Sequence, residues 1–301
     1  MNYSKLKIGY FADGPWSHEA FKKINNDSRF DIKFIVPRLD TDDQTLMRFS
    51  KDYNIDYFKL DNVNSQSSLD KIKSYNCDIL VSMSFNQIFK KDIIELTPIG
   101  VVNCHAGKLP FYRGRNVLNW VLINDEKEFG ITVHFVDEGI DTGDIILQEI
   151  FPITDDDDYS TLLEIAYLEC SELLFKALVQ IVKNTCQRLS QKEIHPVGFY
   201  CGRRGVGDEI INWDDNSRNV FNFIRAISKP GPIARTFNKS QEIKINKSRL
   251  ISKVPTYIGT AGQVLNKTEL GYLVKTKDSF IEIYDFEGKI RVGDKLGRWI
   301  E

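Results

Sequence analysis

The sequence predicts an α/β fold in two parts, a doubly wound, mostly parallel sheet followed by a smaller β-rich domain. Three observations carry this. Through the first two hundred residues, short apolar runs bounded by polar residues alternate with segments whose apolar residues recur at helical spacing. A single long helical pattern closes that part, and beyond residue 204 the texture changes to alternating segments suited to antiparallel strands. The chain has 301 residues, 42% of them apolar and 12% aromatic, which is enough for one large domain with a smaller one attached.

Taken in order, "LKIGYFA" (6–12) is a strand, "WSHEAFKKI" (16–24) the helix after it, "FDIKFIV" (30–36) a second strand and "QTLMRFSKDY" (44–53) a second helix. The apolar runs "DILVSMSF" (78–85) and "VVNCHA" (101–106) add two buried strands, which gives the βαβα order of a Rossmann-like core. The first turn, "ADGPWS", has one glycine and no GxGxxG, so a dinucleotide is not favoured and hydride transfer drops down the ranking. "RNVLNWVLIND" (115–125) is helical. "FGITVHFV" (129–136) and "DIILQEIFPI" (144–153) are strands separated by the Gly- and Asp-rich turn "DEGIDTG". A long helix spans 159–184, introduced by Thr154 and four aspartates, Asp155 to Asp158. Acids before a helix suit its N-terminal dipole and are solvated, a better account of this run than a metal site.

Behind residue 204, "SRNVFNFIRAI" (217–227) is helical and "KPGPIA" (229–234) breaks it, before the alternating segments "EIKINKSRLI", "YLVKTK" and "FIEIYDF". They predict a small β-rich module, a barrel in outline. No run approaches ~20 apolar residues, and the first residues lack a signal peptide's apolar core, which predicts a cytoplasmic protein without a membrane partner. The five cysteines show no CxxC spacing, so neither a disulfide framework nor a zinc site is indicated and no metal is expected.

The chemistry concentrates in "NCHAGKLPFYRGRN" (103–116), a loop leading from a strand end into a helix, the usual ligand position in an open α/β sheet. Asn103 and His105 occupy alternate strand positions and therefore share a face. A carboxamide N–H suits an oxyanion, and an imidazole takes a proton from a nucleophile near neutral pH. That pairing is suited to acyl transfer. A carboxylate would be wanted to orient the imidazole and pass protons, and Asp141 in "EGIDTGD" lies on a turn able to supply it.

"NCHAGKLPFYRG", followed about twenty-five residues on by "EGIDTGD" and preceded by "SMSFNQIF", resembles the folate-dependent formyltransferases. In that family an Asn-x-His strand end and an LDTGD-like turn surround the formyl group of N10-formyltetrahydrofolate. "YCGRRGVGDEIINW" and "NFIRAISKPGPIA" are similar to the second domain shared by methionyl-tRNA formyltransferases and sugar-nucleotide formyltransferases. The resemblance implies a Rossmann-like catalytic domain over 1–203 and an OB-like domain over 204–301. It places Asn103, His105 and Asp141 in catalytic roles. It puts the folate between Ser84, Phe85, Asn86, Gln87 and Ile88, whose backbone would meet the pterin, and the turn holding Gly143 and Asp144. A non-catalytic binding module would not need all three catalytic residues together. A hydrolase of formyltetrahydrofolate would not need the long second domain.

Two acceptor amines remain open. Methionyl-tRNA formyltransferases carry a long basic insertion after the second strand, where this chain has "VPRLDTDDQT" (36–45) with three acids and one Arg, so phosphate backbone would be repelled and no nucleic-acid partner is expected. Residues 200–301 hold 18 Lys and Arg against 12 Asp and Glu, a net +6 against −8 for residues 1–199, and this is the best support for the tRNA alternative. "FADGPWSHEAF" and "GKLPFYRGRN" look closest to enzymes that formylate dTDP-4-amino-4,6-dideoxyglucose in O-antigen and other surface-polysaccharide pathways, enzymes that are often homodimers. Trp16 offers a flat face to a base or sugar. Lys108, Arg113, Arg115 and Asn116 adjoin the loop, and paired guanidiniums at Arg203 and Arg204 match a pyrophosphate. The sequence leaves open the amine position, dTDP versus UDP, and which arginines bind the diphosphate.

Overall fold

The computed structural model describes residues 5–298. Strand β1 (Leu6–Ala12), helix α1 (Pro15–Asn25), strand β2 (Phe30–Val36), helix α2 (Gln44–Asp52), strand β3 (Asp56–Tyr57), helix α3 (Gln66–Ser74) and strand β4 (Ile79–Met83) follow in alternation. A short helix α4 (Lys91–Ile94) leads to β5 (Val101–His105), then β6 (Arg113–Gly114), α5 (Val117–Ile123), β7 (Glu128–Phe135), β8 (Ile145–Pro152), the long helix α6 (Tyr159–Val182), α7 (Gln191–Ile194) and β9 (Tyr200–Cys201). The remainder comprises α8 (Ser217–Ala226), β10 (Ala234–Asn238), β11 (Gln241–Leu250), β12 (Val264–Lys267), β13 (Tyr272–Lys275), β14 (Phe280–Glu287) and β15 (Leu296–Gly297). The chain divides into two compact units. The first holds the chain up to Gly114, Phe129–Phe151 and Glu164–Tyr200. The second holds Arg115–Glu128, Pro152–Leu163 and the chain from Cys201 on.

The first unit is built on a seven-stranded sheet in the order β3-β2-β1-β4-β5-β7-β8. β1 runs parallel to both β2 and β4, and β4 parallel to β5, whereas β7 is antiparallel to β5. The expected Rossmann-like, mostly parallel sheet is therefore present, with its non-parallel part at one side. Strand order reverses between β1 and β4, so the connections leaving these strands diverge and open a crevice at their carboxyl ends. β4 is buried along its whole length, as expected of a central strand with four apolar residues in five. Phe11, Phe34 and Phe89 pack edge to face, with ring centroids 5.6 Å apart for Phe11–Phe34 and 5.2 Å for Phe11–Phe89. Burying one such ring contributes roughly 1.5–3 kcal/mol.

Two helix starts in this unit follow from single residues. Pro15 opens α1, where its missing N–H is no loss. Asp43 caps α2, accepting from the Thr45 and Leu46 N–H groups at 3.0 and 2.9 Å.

The second unit carries a curled, six-stranded antiparallel sheet, β12-β13-β14-β11-β10-β15, the OB-like module expected from the alternating segments. Asn119 of α5 donates to the Ala226 carbonyl at the end of α8 at 2.6 Å, and buried Trp213 donates to Thr236 Oγ1 at 2.9 Å. Three of the four aspartates make structural contacts at the start of α6, and Asp158 is buried there rather than solvated as expected. Asp158 caps α6 through the Ser160 and Thr161 N–H groups at 2.8 and 3.2 Å, Asp157 accepts from the Thr154 N–H, and Asp155 pairs with Arg218.

Candidate active site

The residues singled out at the end of β5 come together within the first unit. Asn103 lies directly opposite His134 across the β5–β7 ladder, and His105 opposite Thr132. Asn103 Nδ2 is 3.3 Å from His134 Nε2. Asp141 closes the cluster: its Oδ2 is 3.7 Å from His105 Nδ1 and its Oδ1 is 3.5 Å from His134 Nε2, while the Gly114 N–H donates to Oδ2 at 2.8 Å. Burial by itself would push the Asp141 carboxyl up. His105 and His134 in their protonated forms, together with the Gly114 N–H, outweigh it and hold the group well below the usual carboxylate range.

The loop geometry assigns the imidazole protons. The Tyr112 carbonyl, 2.7 Å from His105 Nε2, can only accept, so Nε2 carries the hydrogen and Nδ1 is left facing Asp141. Tyr112 adopts φ 55, a left-handed conformation costing about 1–2 kcal/mol for a bulky residue, from which its carbonyl reaches the ring. Gly107 makes this approach possible, because a methyl there would collide with both His105 Nε2 and the Tyr112 carbonyl. What holds the His105 ring is thus Tyr112 rather than Asp141. In His134, Nδ1 donates to the Phe135 carbonyl at 2.7 Å, which leaves Nε2 to accept from Asn103 when the ring is neutral.

His134, 1% exposed, is the member of this cluster that the sequence reading does not single out. A signal for it exists: in "FGITVHFV", Thr132 and His134 are polar at alternate positions of an otherwise apolar strand and so share one face. Thr132 Oγ1 donates to the Gly107 carbonyl at 2.7 Å and accepts from Gln148 Nε2 at 2.8 Å, bracing the loop that follows His105.

The expected folate residues also lie in the first unit. Ser84 leaves β4 at φ 60. Phe85 packs against Phe11, Gln87 ties Val63 and Leu60 at 2.8 Å each, Asn86 Nδ2 donates to Asp40 at 3.1 Å, and Ile88 is exposed. The turn's Gly143 sits so close to the Phe135 carbonyl that no side chain fits there, and the neighbouring Asp144 carbonyl accepts from the Phe135 N–H at 2.9 Å.

The remaining candidates divide between the units. Trp16 packs edge-on against Tyr167, and Arg113 donates through Nε and Nη2 to Gln191 Oε1 at 3.1 and 2.7 Å. Lys108 is half-buried. Arg115, Asn116, Arg203 and Arg204 belong to the second unit. Arg115 and Arg203 are exposed there, and Asn116 Oδ1 accepts from the Arg204 N–H at 3.0 Å. The Arg204 guanidinium lies over Trp120 and Phe223 at 5.4 and 5.5 Å and donates to the Asp208 carbonyl. A cavity of about 430 Å³ lined by Asp125, Asn219 and Phe223 is part of the same unit and holds none of the candidate residues.

A carboxamide, two imidazoles and a carboxylate gathered beside one strand end of a Rossmann-like sheet are a set chemically suited to acyl-group transfer. Residues 32–178 match the formyl transferase model and residues 206–293 the formyl transferase C-terminal domain, and the chain belongs to this family of one-carbon transferases. Among its relatives is the methionyl-tRNA formyltransferase of Pelotomaculum thermopropionicum, 32% identical over 216 residues, which are 72% of this chain and 67% of that one. Among solved structures it resembles WlaRD, described as a sugar 3N-formyl transferase in the presence of dTDP and 5-N-formyl-THF, at a TM-score of 0.71 and 26% identity over 96% of this chain and 100% of the other. An N-formyltransferase from Helicobacter canadensis, solved with folinic acid and dTDP-3-aminofucose, shares the fold at a TM-score of 0.69 and 24% identity, covering 94% of this chain and 100% of the other. Among the described residues, no helix is long and apolar enough to cross a membrane.

Proposed function

We propose that this protein transfers the formyl group of N10-formyltetrahydrofolate to the amine of a nucleotide-linked amino sugar, dTDP-4-amino-4,6-dideoxyglucose, for surface-polysaccharide synthesis. The observation that carries the transfer chemistry is the cluster of Asn103, His105 and Asp141, with His105 Nδ1 left as the basic nitrogen 3.7 Å from the Asp141 carboxylate. The acceptor amine attacks the formyl carbon and loses a proton to His105 Nδ1. The new N–H then faces the Asp141 anion, which stabilises the imidazolium. Asn103 uses one amide hydrogen toward His134 and points the other at the developing oxyanion, a bond worth on the order of 3 kcal/mol for a single oxyanion donor. Collapse of the tetrahedral intermediate breaks the bond from carbon to N10, and N10 takes up the proton held by the His105 imidazolium. The side chains of Asn86 and Gln87 are engaged in holding their own loop, which suits recognition of the pterin by backbone groups of 84–88 and by the turn at Gly143 and Asp144.

The choice of a sugar acceptor is supported by the β2–α2 connection. Its Arg38 pairs with Asp40 at 2.7 Å, Asp42 pairs with Lys59 at 2.8 Å, and Asp43 caps α2, so the segment offers no surplus of positive charge to a phosphate backbone. Similarity to WlaRD adds to this. Exposed Arg203 is our candidate for the diphosphate. We place the end of the catalytic domain at residue 203 and expect a homodimer acting in the cytoplasm. A second reading, methionyl-tRNA formylation, is favoured by the 32% identical relative and by the net +6 of residues 200–301.

The experiment is tetrahydrofolate release from N10-formyltetrahydrofolate, followed with no acceptor, with dTDP-linked 4-amino and 3-amino sugars, with their UDP counterparts, and with methionyl-tRNA. Release with the dTDP-4-amino sugar above all others is expected. Release with methionyl-tRNA alone would replace the sugar reading, and release without any acceptor would make the protein a hydrolase.

A further inference from the structure

We propose that Gln191 is a positioning residue for formyl transfer, an amide bridge that holds the turn bearing Asp141. The proposal rests on the reading of Asp141 as part of the transfer machinery. Gln191 is 3% exposed and stands at the start of α7, where Ser190 and Glu193 form a capping box that sets its backbone. Its side chain has two hydrogens to give and an oxygen able to accept twice, and all of this capacity is used. Oε1 receives Arg113 Nε and Nη2 at 3.1 and 2.7 Å. Nε2 gives its hydrogens to the carbonyls of Asp141 and Gly143, both at 2.8 Å.

The turn needs such a support. Asp141 adopts φ 51, the left-handed region, and Gly143 presses against the Phe135 carbonyl. Two carbonyls of this turn, separated by a single residue, are therefore fixed from outside by one buried amide. The same amide also fixes Arg113, one residue before the Gly114 N–H that donates to Asp141 Oδ2. Asp141 is thus constrained from its carbonyl by Gln191 and from its carboxylate by Gly114. Among the side chains of this length, an ionised Glu could accept from Arg113 but not donate to the turn, and a Lys could donate but not accept. Only the amide does both. A shift of about 1 Å in a catalytic carboxylate is enough to slow a reaction on the order of 100-fold, so loss of the bridge should act on the chemical step rather than on binding.

The test compares Gln191→Glu with Gln191→Met in the full-length protein. Glu keeps the acceptor for Arg113 and removes both donors to the turn, whereas Met removes everything. In both variants kcat is expected to fall at least ~10-fold with KM for formyltetrahydrofolate and for the acceptor within about 2-fold. Amide hydrogen exchange across residues 138–144 should speed up in both while the rest of the sheet is unchanged. Wild-type kcat and unaltered exchange in Gln191→Glu would overturn the proposal and reduce Gln191 to a clamp for Arg113. The exchange experiment needs no turnover. A wild-type protein that transfers formyl to no acceptor would sink the transfer reading, and the positioning role with it, on grounds separate from the exchange result. Should Gln191→Glu fail to fold, the kcat-against-KM split of Gln191→Met decides alone.

Discussion

His105 has two nitrogens with different duties, and the neighbouring loop decides which is which. With Nε2 tied to the Tyr112 carbonyl, a base at this position must act through Nδ1. Replacing His105 by Asn is expected to cut kcat by at least ~100-fold, the low end for a general base, with little change in substrate affinity. Adding Asp141→Asn should make the enzyme scarcely worse than the worse single variant, because the two groups serve one intermediate. Near wild-type turnover by folded His105→Asn would return this histidine to a structural role. Asp141 makes a second prediction, for stability. Burial raises its pKa and the protonated His105 and His134, with the Gly114 N–H, lower it further than burial lifts it, so the folded value lies below the unfolded one of about 3.9. The stabilisation is complete above that pH and is lost as pH falls toward the folded value. Acid unfolding of the wild type below about pH 4 should therefore show a steeper loss of stability with falling pH than that of Asp141→Asn, by about one proton. Equal slopes would mean that the carboxylate gains nothing from its neighbours.

Among the elements, α6 shows how a boundary can be tested apart from chemistry. Its first turn is capped by Asp158, whose carboxylate accepts from Ser160 and Thr161 and pairs with Lys247. Asp158→Ala should lower stability by roughly 0.5–2 kcal/mol in urea unfolding while kcat stays at the wild-type level. A large drop in kcat would instead implicate the aspartate run in function. The strands and long helices were legible because period-two and helical patterns are strong over seven or more residues: β1 and β2 fall at the boundaries expected from "LKIGYFA" and "FDIKFIV". Residues 54–77 carried no such pattern. There β3 has two residues, and α3 shows Leu69 and Ile72 as its only apolar residues in "QSSLDKIKS", too little periodicity to mark a helix.

For the molecule as a whole, the acceptor class is a question of charge. Residues 200–301 carry a net +6, but the β2–α2 connection holds no basic insertion: its Arg38 is matched by Asp40, and its Asp42 pairs with Lys59. Raising chloride from 50 to 200 mM, an interval over which a protein gripping six to ten phosphates loses about 10³-fold or more in affinity, should change kcat/KM for the sugar nucleotide by less than about 10-fold. A slope as steep as that of a nucleic-acid binder would favour tRNA.

The amino-acid sequence alone determined the class of sheet and the side-by-side placement of Asn103 and His105 at a strand end. Alternation of buried strands with amphipathic helices leaves few topologies, and Asn103 and His105 share a face by the period of a strand whatever lies around them. It could not place His134 beside Asn103, because that contact arises across the β5–β7 ladder from residues thirty-one apart. Nor could it show that Nε2 of His105 is occupied by Tyr112, that Arg204 lies over Trp120 and Phe223, or that Gln191 joins Arg113 to the Asp141 turn. Each of these is a hydrogen bond or packing contact between segments with no local pattern linking them. Their partners are selected by distance and direction in the folded chain, which only the tertiary structure supplies.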